Sequence, residues 1–396
     1  MSVGTAFHPR TSEMNERLAW GEWSGYHAAA VYADFHDIEY NAIREAAAVI
    51  DVTPLYKYIV SGPDAPRLMN RVLPRDAVRQ RVNQVYYTPW VDEDGKMMDD
   101  GTVTRLSETS YRITAALPCY RWFMLNATGL DVRVEDITET TAALALQGQK
   151  SRAVLEAATG QDWSDVPYFG RRATQIGGVP VDVTRTGYTG DLGYELFVST
   201  DDALAMWDRL FEVGPDYGLR PAGINALDVS RVEAGLILIE AEYTSALHAR
   251  TADHYYSPFE LGLGRLIDFD KGDFVGRRAL LAERAAGGPA RRLVGLELDW
   301  AGIEGMFGRH GLAPEVSAMV HRPAVPIYRE GRQVGRATSI CWGPTIKKMV
   351  GFGSVEPNLQ EPGTMVSVEW SVEGERGKVA ATVVPMPFLN LPRRRA

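Results

Sequence analysis

The sequence predicts an α+β fold in two parts, and three observations carry that prediction. Strand-like and helix-like segments alternate irregularly through the first two-thirds of the chain, without the regular repeat of a doubly wound parallel sheet. The segment "RRALLAERAAGGPARR", residues 277–292, passes from an Ala/Arg helix into Gly and Pro, which marks a boundary. Beyond it, short strands separated by turn residues have the pattern of a small β-barrel. The expected parts are residues 1–285, as two intertwined α+β subdomains, and residues 286–396 as the barrel.

In chain order, "DIEYNAIREAAAVI" (37–50) spaces Ile38, Ala42, Ile43, Ala46, Ala47 and Ile50 as one helical face. "YKYIVSG" alternates as a strand. "GPDAPRLMNRVL" reads as a turn and then a helix, with Asp64 as its cap before Pro66. "VYYTPWVDEDGKMMDDGTVTRL" gives two strands around the turn "DEDGK", and "SYRITAAL" a third. Helices are expected over 118–127, 149–158, 201–213 and 225–235. After the boundary, "RLVGLEL", "VPIYREGRQVGRATS", "TMVSVEW" and "KVAATVV" supply barrel strands.

Composition narrows the function classes. The 396 residues are 45% hydrophobic and 23% charged, ordinary for a globular protein with more than one core. A net charge of −9 argues against broad nucleic-acid binding, which needs a basic surface. Cys119 and Cys341 stand far apart, giving neither a disulfide framework nor zinc spacing. No apolar run approaches the roughly 20 residues of a membrane span, and the N-terminus lacks a signal-peptide pattern. A cytoplasmic protein is expected. The final "LPRRRA" is read as a solvated basic tail.

The usual site motifs are missing. "GLGRLI" (262–267) lacks the third glycine of a dinucleotide loop. There is no Walker loop, HExxH or GxSxG, and the seven histidines show no metal-ligand spacing. No metal is expected. What remains is carboxylates, tyrosines and arginines in glycine-rich settings, above all "TRTGYTGDLGYELFV" at 184–198.

That hairpin stands in an ordered series. "AIREAAAVIDVTPLYKYIVSGPDA", "VYYTPWVDEDGKMMDDGTV", "LALQGQKS", "TRTGYTGDLGYELFV", "GINALDVSRVEAGL", "SPFELGLGRLIDFDKGDFVGRRAL" and "SICWGPTIKKMVGFGSV" follow one another along the chain. The series resembles the glycine-cleavage T-protein family, the aminomethyltransferases and their relatives that demethylate small substrates with tetrahydrofolate. The resemblance runs from about Tyr40 to Pro387. It implies a ring of α+β and β units around a central channel that holds tetrahydrofolate with its pteridine deep inside.

The resemblance also implies roles. Glu195 accepts from the amide N–H and exocyclic amine of the pterin, with Tyr188 lining the ring; charge-assisted bonds of this kind are worth roughly 1.5–3 kcal/mol each. Asp99, first acid of "MMDDG", lies near the folate N5 and the substrate, where its charge stabilises developing positive charge. Asp100 is read as its structural neighbour. Arg231 points into the channel, with an ion pair to Asp228 or Glu233 as the alternative. Tyr87 matches a channel tyrosine. Trp342 lies where the barrel approaches the site, with core packing as the alternative.

Departures from the family pattern fall on the substrate side. Ala116 stands for an asparagine, Ile239-Glu240 for a Tyr-Gly pair, and "DVTPL" for a "DVSHM"-like entry. Cofactor retained and substrate changed is the inference, with a lipoyl carrier protein an improbable partner. The expected activity is transfer of a methyl group from a small methylated compound to N5 of tetrahydrofolate. The alternatives are transfer of a methylene unit and a non-catalytic folate-binding module. A sulfonium or quaternary ammonium donor calls for an aromatic cage, for which Trp20, Trp23, Tyr26 and Tyr32 are candidates. An aryl methyl ether calls for proton donors, for which His36, His254 and Tyr256 are candidates.

Overall fold

The computed structural model describes residues 1–317 and 319–395. Its architecture is α+β with a barrel. Six strands form one sheet in the order Arg171–Ile176, Val179–Thr184, Gly193–Ser199, Thr141–Gln147, Ala47–Asp51 and Leu219–Pro221. Five form a second, in the order Val85–Val91, Met97–Ser107, Ser110–Ala115, Tyr56–Ser61 and Arg133–Asp136. Six more close a barrel: Arg292–Leu298, Lys348–Val355, Arg332–Gly343, Val325–Arg329, Met365–Val372 and Glu375–Val384.

Period-two alternation gives each sheet one apolar face and one mixed face. In the six-stranded sheet, Leu144, Leu146, Tyr194, Leu196 and Val183 enter a core with Trp163 and Trp207. In the five-stranded sheet, Tyr58, Trp90, Val103 and Ile113 pack under the helices Ala65–Val72 and Tyr120–Asn126. The other two faces turn towards each other. Arg112 of the five-stranded sheet donates to Asp182 of the six-stranded one and lies 3.7 Å from the centre of the Phe197 ring.

Most of the expected elements form, with three differences. The helix expected over 37–50 stops at Glu45, and Ala47–Asp51 is a central strand. The run "AAAVI" is apolar at every position, so its periodicity cannot separate a helix from a strand buried on both faces. Asp64 stands at the head of its helix, but its carboxylate accepts from the Asp131 N–H at 2.9 Å and caps nothing. The tail expected to be solvated is tied down. Arg393 donates through two nitrogens to the Asp191 carboxylate, at 2.7 and 2.8 Å, and Arg394 donates to the Tyr168 hydroxyl at 2.8 Å.

No helix among the described residues is long and apolar enough to cross a membrane. Both cysteines are free and buried.

Candidate functional site

The glycine-rich hairpin takes its shape from one side chain. Gln147 is fully buried; its amide donates to the Thr186 and Tyr194 carbonyls, and its oxygen accepts from Thr189 Oγ1 at 2.9 Å. A Cβ at Gly187 would come within 2.0 Å of that oxygen, and one at Gly193 within 2.3 Å. The hairpin therefore closes around the glutamine only with glycine at both positions.

Glu195 follows on the strand Gly193–Ser199, paired with Thr184 and Ala145. It lies on the mixed face with Phe197 and is half-buried. Its Oε2 accepts from Thr186 Oγ1 at 2.5 Å. Burial pushes its carboxyl above the ordinary range, against the Thr186 bond and the nearby Arg112 cation. This is a half-satisfied carboxylate on the inner face, with acceptor capacity left for a ligand.

Across from it, the five-stranded sheet presents Tyr87, Asp100, Thr102, Arg112 and Thr114. Register fixes this set: Tyr87 pairs with Thr102, Thr102 with Thr114, and Thr104 with Arg112. Lys57, opposite Thr114, is fully buried, and its Nζ donates to the Thr53 and Leu55 carbonyls at 2.8 and 2.6 Å. Desolvation pushes its ammonium down to about 7.

The acid on this face is Asp100, which corrects the assignment of Asp99 to the channel. Asp99 is fully buried on the opposite face. Its Oδ2 accepts from the backbone N–H groups of Ala116 and Leu117 at 3.0 and 2.8 Å, and its Oδ1 from that of Asp100 at 2.8 Å. It serves the turn after the strand Ser110–Ala115. Asp100 accepts from the Tyr87 hydroxyl at 2.7 Å and from the Tyr243 hydroxyl. Burial raises its carboxyl above the ordinary range, and the two phenol bonds offset part of that. The alternation was readable: Asp99, Gly101 and Val103 follow the core face, and Asp100, Thr102 and Thr104 the other. Tyr243 was not readable, because "EAEYTSALH" carries no motif.

Tyr188 reaches the same neighbourhood. It is half-buried, its hydroxyl donates to the Ile237 carbonyl, and burial, with the charges of Asp100 and Glu242 among its neighbours, raises its phenol.

Arg231 is not a free channel cation. It is fully buried: Nε donates to Asp228 at 2.7 Å, Nη1 to Glu242 at 2.6 Å, and Nη2 to Ser339 Oγ at 2.6 Å. It ties the helix Ile224–Glu233 to the loop bearing Tyr243 and to the barrel. Of the two alternatives for its partner, Asp228 is present, and Glu233 instead meets Tyr40 and Arg44.

The substrate candidates scatter. Tyr32 is buried, beneath the neighbouring charges of Asp51 and Glu39. Trp20 packs against His8 and His27, and Trp23 against the apolar cluster around Tyr40 and Val232, so no cage forms from them. His36 is buried at a helix start, 3.4 Å from Asp37. Tyr256 is buried in an apolar cluster with its hydroxyl unpartnered. Trp342 packs on Trp300, ring centres 5.1 Å apart, beside the barrel core. His254 alone among them lines a cavity that Tyr243, the partner of Asp100, also lines. No cluster of His, Cys, Asp or Glu able to hold a metal ion occurs among the described residues.

The chain is similar to known proteins in sequence and in fold. Residues 8–271 match the family model of the GCVT N-terminal domain, and residues 291–390 that of the glycine cleavage T-protein C-terminal barrel domain. An aminomethyltransferase of Moorella thermoacetica is 32% identical over 97% of this chain and 99% of its own. One of Caldanaerobacter subterraneus is 33% identical over 83% of this chain and 82% of its own. A trimethylamine-oxide aldolase of Ruegeria pomeroyi is 33% identical across the whole chain, which spans 48% of that protein. The fold matches the crystal structure of the glycine cleavage aminomethyltransferase of Bartonella henselae with a TM-score of 0.83, at 23% identity, covering 98% of this chain and 99% of that one. The chain thus belongs to the glycine cleavage T-protein family, the folate-dependent aminomethyltransferases, and is a one-carbon transferase.

Proposed function

We propose that this protein moves a methyl group from a small cationic methylated donor to N5 of tetrahydrofolate. The observation that carries this reading is Asp100, a carboxylate held by two phenols on the face opposite Glu195. In its ionised form this desolvated carboxylate stabilises a positive charge beside it far better than water-exposed acids do. The half-buried tyrosines near it, Tyr87 and Tyr188, offer aromatic surface to the same cation.

The residues present fit a reduced folate. Glu195 has carboxylate capacity left after Thr186, at a half-buried position suited to paired N–H donors. When bound, tetrahydrofolate supplies the nucleophilic nitrogen that takes up the one-carbon unit. The protein's part is then positioning, which is worth as much as about 7–11 kcal/mol of the activation barrier in well-aligned reactions. A leaving group that departs neutral needs no acid. This matches His36, whose ring meets Asp37, and Tyr256, which shares an apolar cluster with Tyr243 and Tyr87 but makes no hydrogen bond to Asp100. A small-molecule donor rather than a lipoyl carrier protein fits the same enclosed group, and a cytoplasmic setting suits the two free thiols.

A second reading is transfer of a methylene unit. The similarity to proteins named aminomethyltransferases, over most of the chain, favours it. Product identity decides between them. Incubation with tetrahydrofolate and onium donors, followed by chromatography, should give 5-methyltetrahydrofolate. The parallel donors are an aminomethyl thioether and an amine N-oxide, which deliver a one-carbon unit at the formaldehyde level without an added oxidant; formation of 5,10-methylenetetrahydrofolate from these would select the second reading, and no folate product from either donor set would reject both.

A further inference from the structure

A second binding feature stands behind Tyr243. A cavity of about 330 Å³ lies there, lined by Glu240, Tyr243, Thr244, His254, Arg322 and Arg336 among others. Tyr243 is the shared wall: it lines the cavity while its hydroxyl donates to Asp100.

The lining is cationic. Arg336, on the strand Arg332–Gly343, is half-buried, and its guanidinium carbon lies 5.2 Å from the centre of the Tyr256 ring. It has no hydrogen-bond or ion-pair partner among the described residues; Asp253 is the acid whose charge it feels, without an ion pair. Arg322 uses its Nε on Asp228 at 2.7 Å. His254 Nδ1 accepts from the Arg250 N–H at 3.5 Å. The single carboxylate in the lining is already engaged, since Glu240 Oε1 accepts from the Ser245 N–H at 3.3 Å and meets His248 Nδ1 at 2.9 Å.

A half-buried guanidinium has lost part of its hydration and here gains no anion in return. Its planar fork of N–H donors suits a carboxylate best. We propose that this cavity binds a carboxylate of a ligand whose reacting end lies at Asp100, a statement that rests on the reading of Asp100 given above. Two ligands could bring that group: the glutamate end of the folate, or a carboxylated methyl donor.

The test is calorimetric titration of the intact protein, its Arg336→Gln variant and its Arg336→Lys variant. The probes are tetrahydrofolate, 6-methyltetrahydropterin (which has no glutamate), glycine betaine and tetramethylammonium. The expected result is a loss of about tenfold or more in affinity for one carboxylate-bearing probe in Arg336→Gln, the size of one charge-assisted bond. Its uncharged or carboxylate-free counterpart should bind unchanged, and Arg336→Lys should recover part of the loss. A loss for tetrahydrofolate assigns the cavity to the glutamate, and a loss for glycine betaine assigns it to the donor. Equal behaviour of the intact protein and Arg336→Gln towards both carboxylates, including no binding of either, overturns the proposal. If the intact protein takes up neither tetrahydrofolate nor 6-methyltetrahydropterin, the folate reading itself fails.

Discussion

Tyr243 donates its phenolic proton to Asp100 across 143 positions of chain, and Tyr87 donates to the other oxygen of the same carboxylate. This pairing separates two adjacent acids by role. Asp100→Asn is expected to lower kcat by a factor of about 100–1,000, the usual loss when a single charge-stabilising group is removed, with little change in melting temperature. Asp99→Asn should do the reverse. It puts an amide NH2 among backbone N–H donors and should cost about 1–3 kcal/mol of stability. Steady-state kinetics and thermal melts of the two variants check both expectations.

Glu195 retains acceptor capacity beside its bond from Thr186. Glu195→Gln keeps the shape and removes the charge, so tetrahydrofolate affinity should fall by roughly 10–100-fold, as for loss of about 1.5–3 kcal/mol. Thr186→Val should fall less, because it removes only an orienting bond. Isothermal titration with tetrahydrofolate measures both, and an unchanged Glu195→Gln would reject the role.

The hairpin glycines should behave as a unit with Gln147. Gly193→Ala places a methyl 2.3 Å from the glutamine oxygen and should destabilise by about 1–3 kcal/mol, as overpacking does. Gln147→Ala makes room, so the double variant should melt closer to the parent than the sum of the two singles. A double-mutant cycle on denaturant midpoints gives the coupling directly.

Lys57 gives a pH signature. Its folded ammonium titrates near 7, while the unfolded chain holds that proton up to the ordinary 10.5. Between those values the unfolded state binds more protons, so stability rises with pH through the window. Lys57→Met removes this contribution, and its unfolding free energy should climb less steeply over that range. Parallel urea melts at three pH values test the sign.

The sequence displayed much of the fold because its strongest signals are local. Turns such as "DEDGK", the alternation in "SYRITAAL", and the Gly/Pro break near residue 287 depend on few neighbours. Residues 47–50 read as helix in the sequence and form a strand in the structure, because an all-apolar run has no face. The hairpin "TRTGYTGDLGYELFV" was legible as an ordered motif, yet the reason for its glycines lies in Gln147, on another strand. The site was less legible still. Arg231 looks like a ligand-binding cation until Glu242 and Ser339, 11 and 108 positions away, are found on its nitrogens. Burial and long-range pairing decide such cases, and neither leaves a trace in spacing.

The clasp of Arg393 on Asp191 has a consequence for how the molecule is made. The acid sits in the glycine-rich hairpin, and its bidentate partner is translated 202 residues later. Until then the buried carboxylate has the Leu192 N–H at 2.9 Å and, of the cations, Arg44 at 3.5 Å. A nascent chain arrested short of Arg393 therefore lacks that clasp, and its loop should be cut by protease faster than in the finished protein.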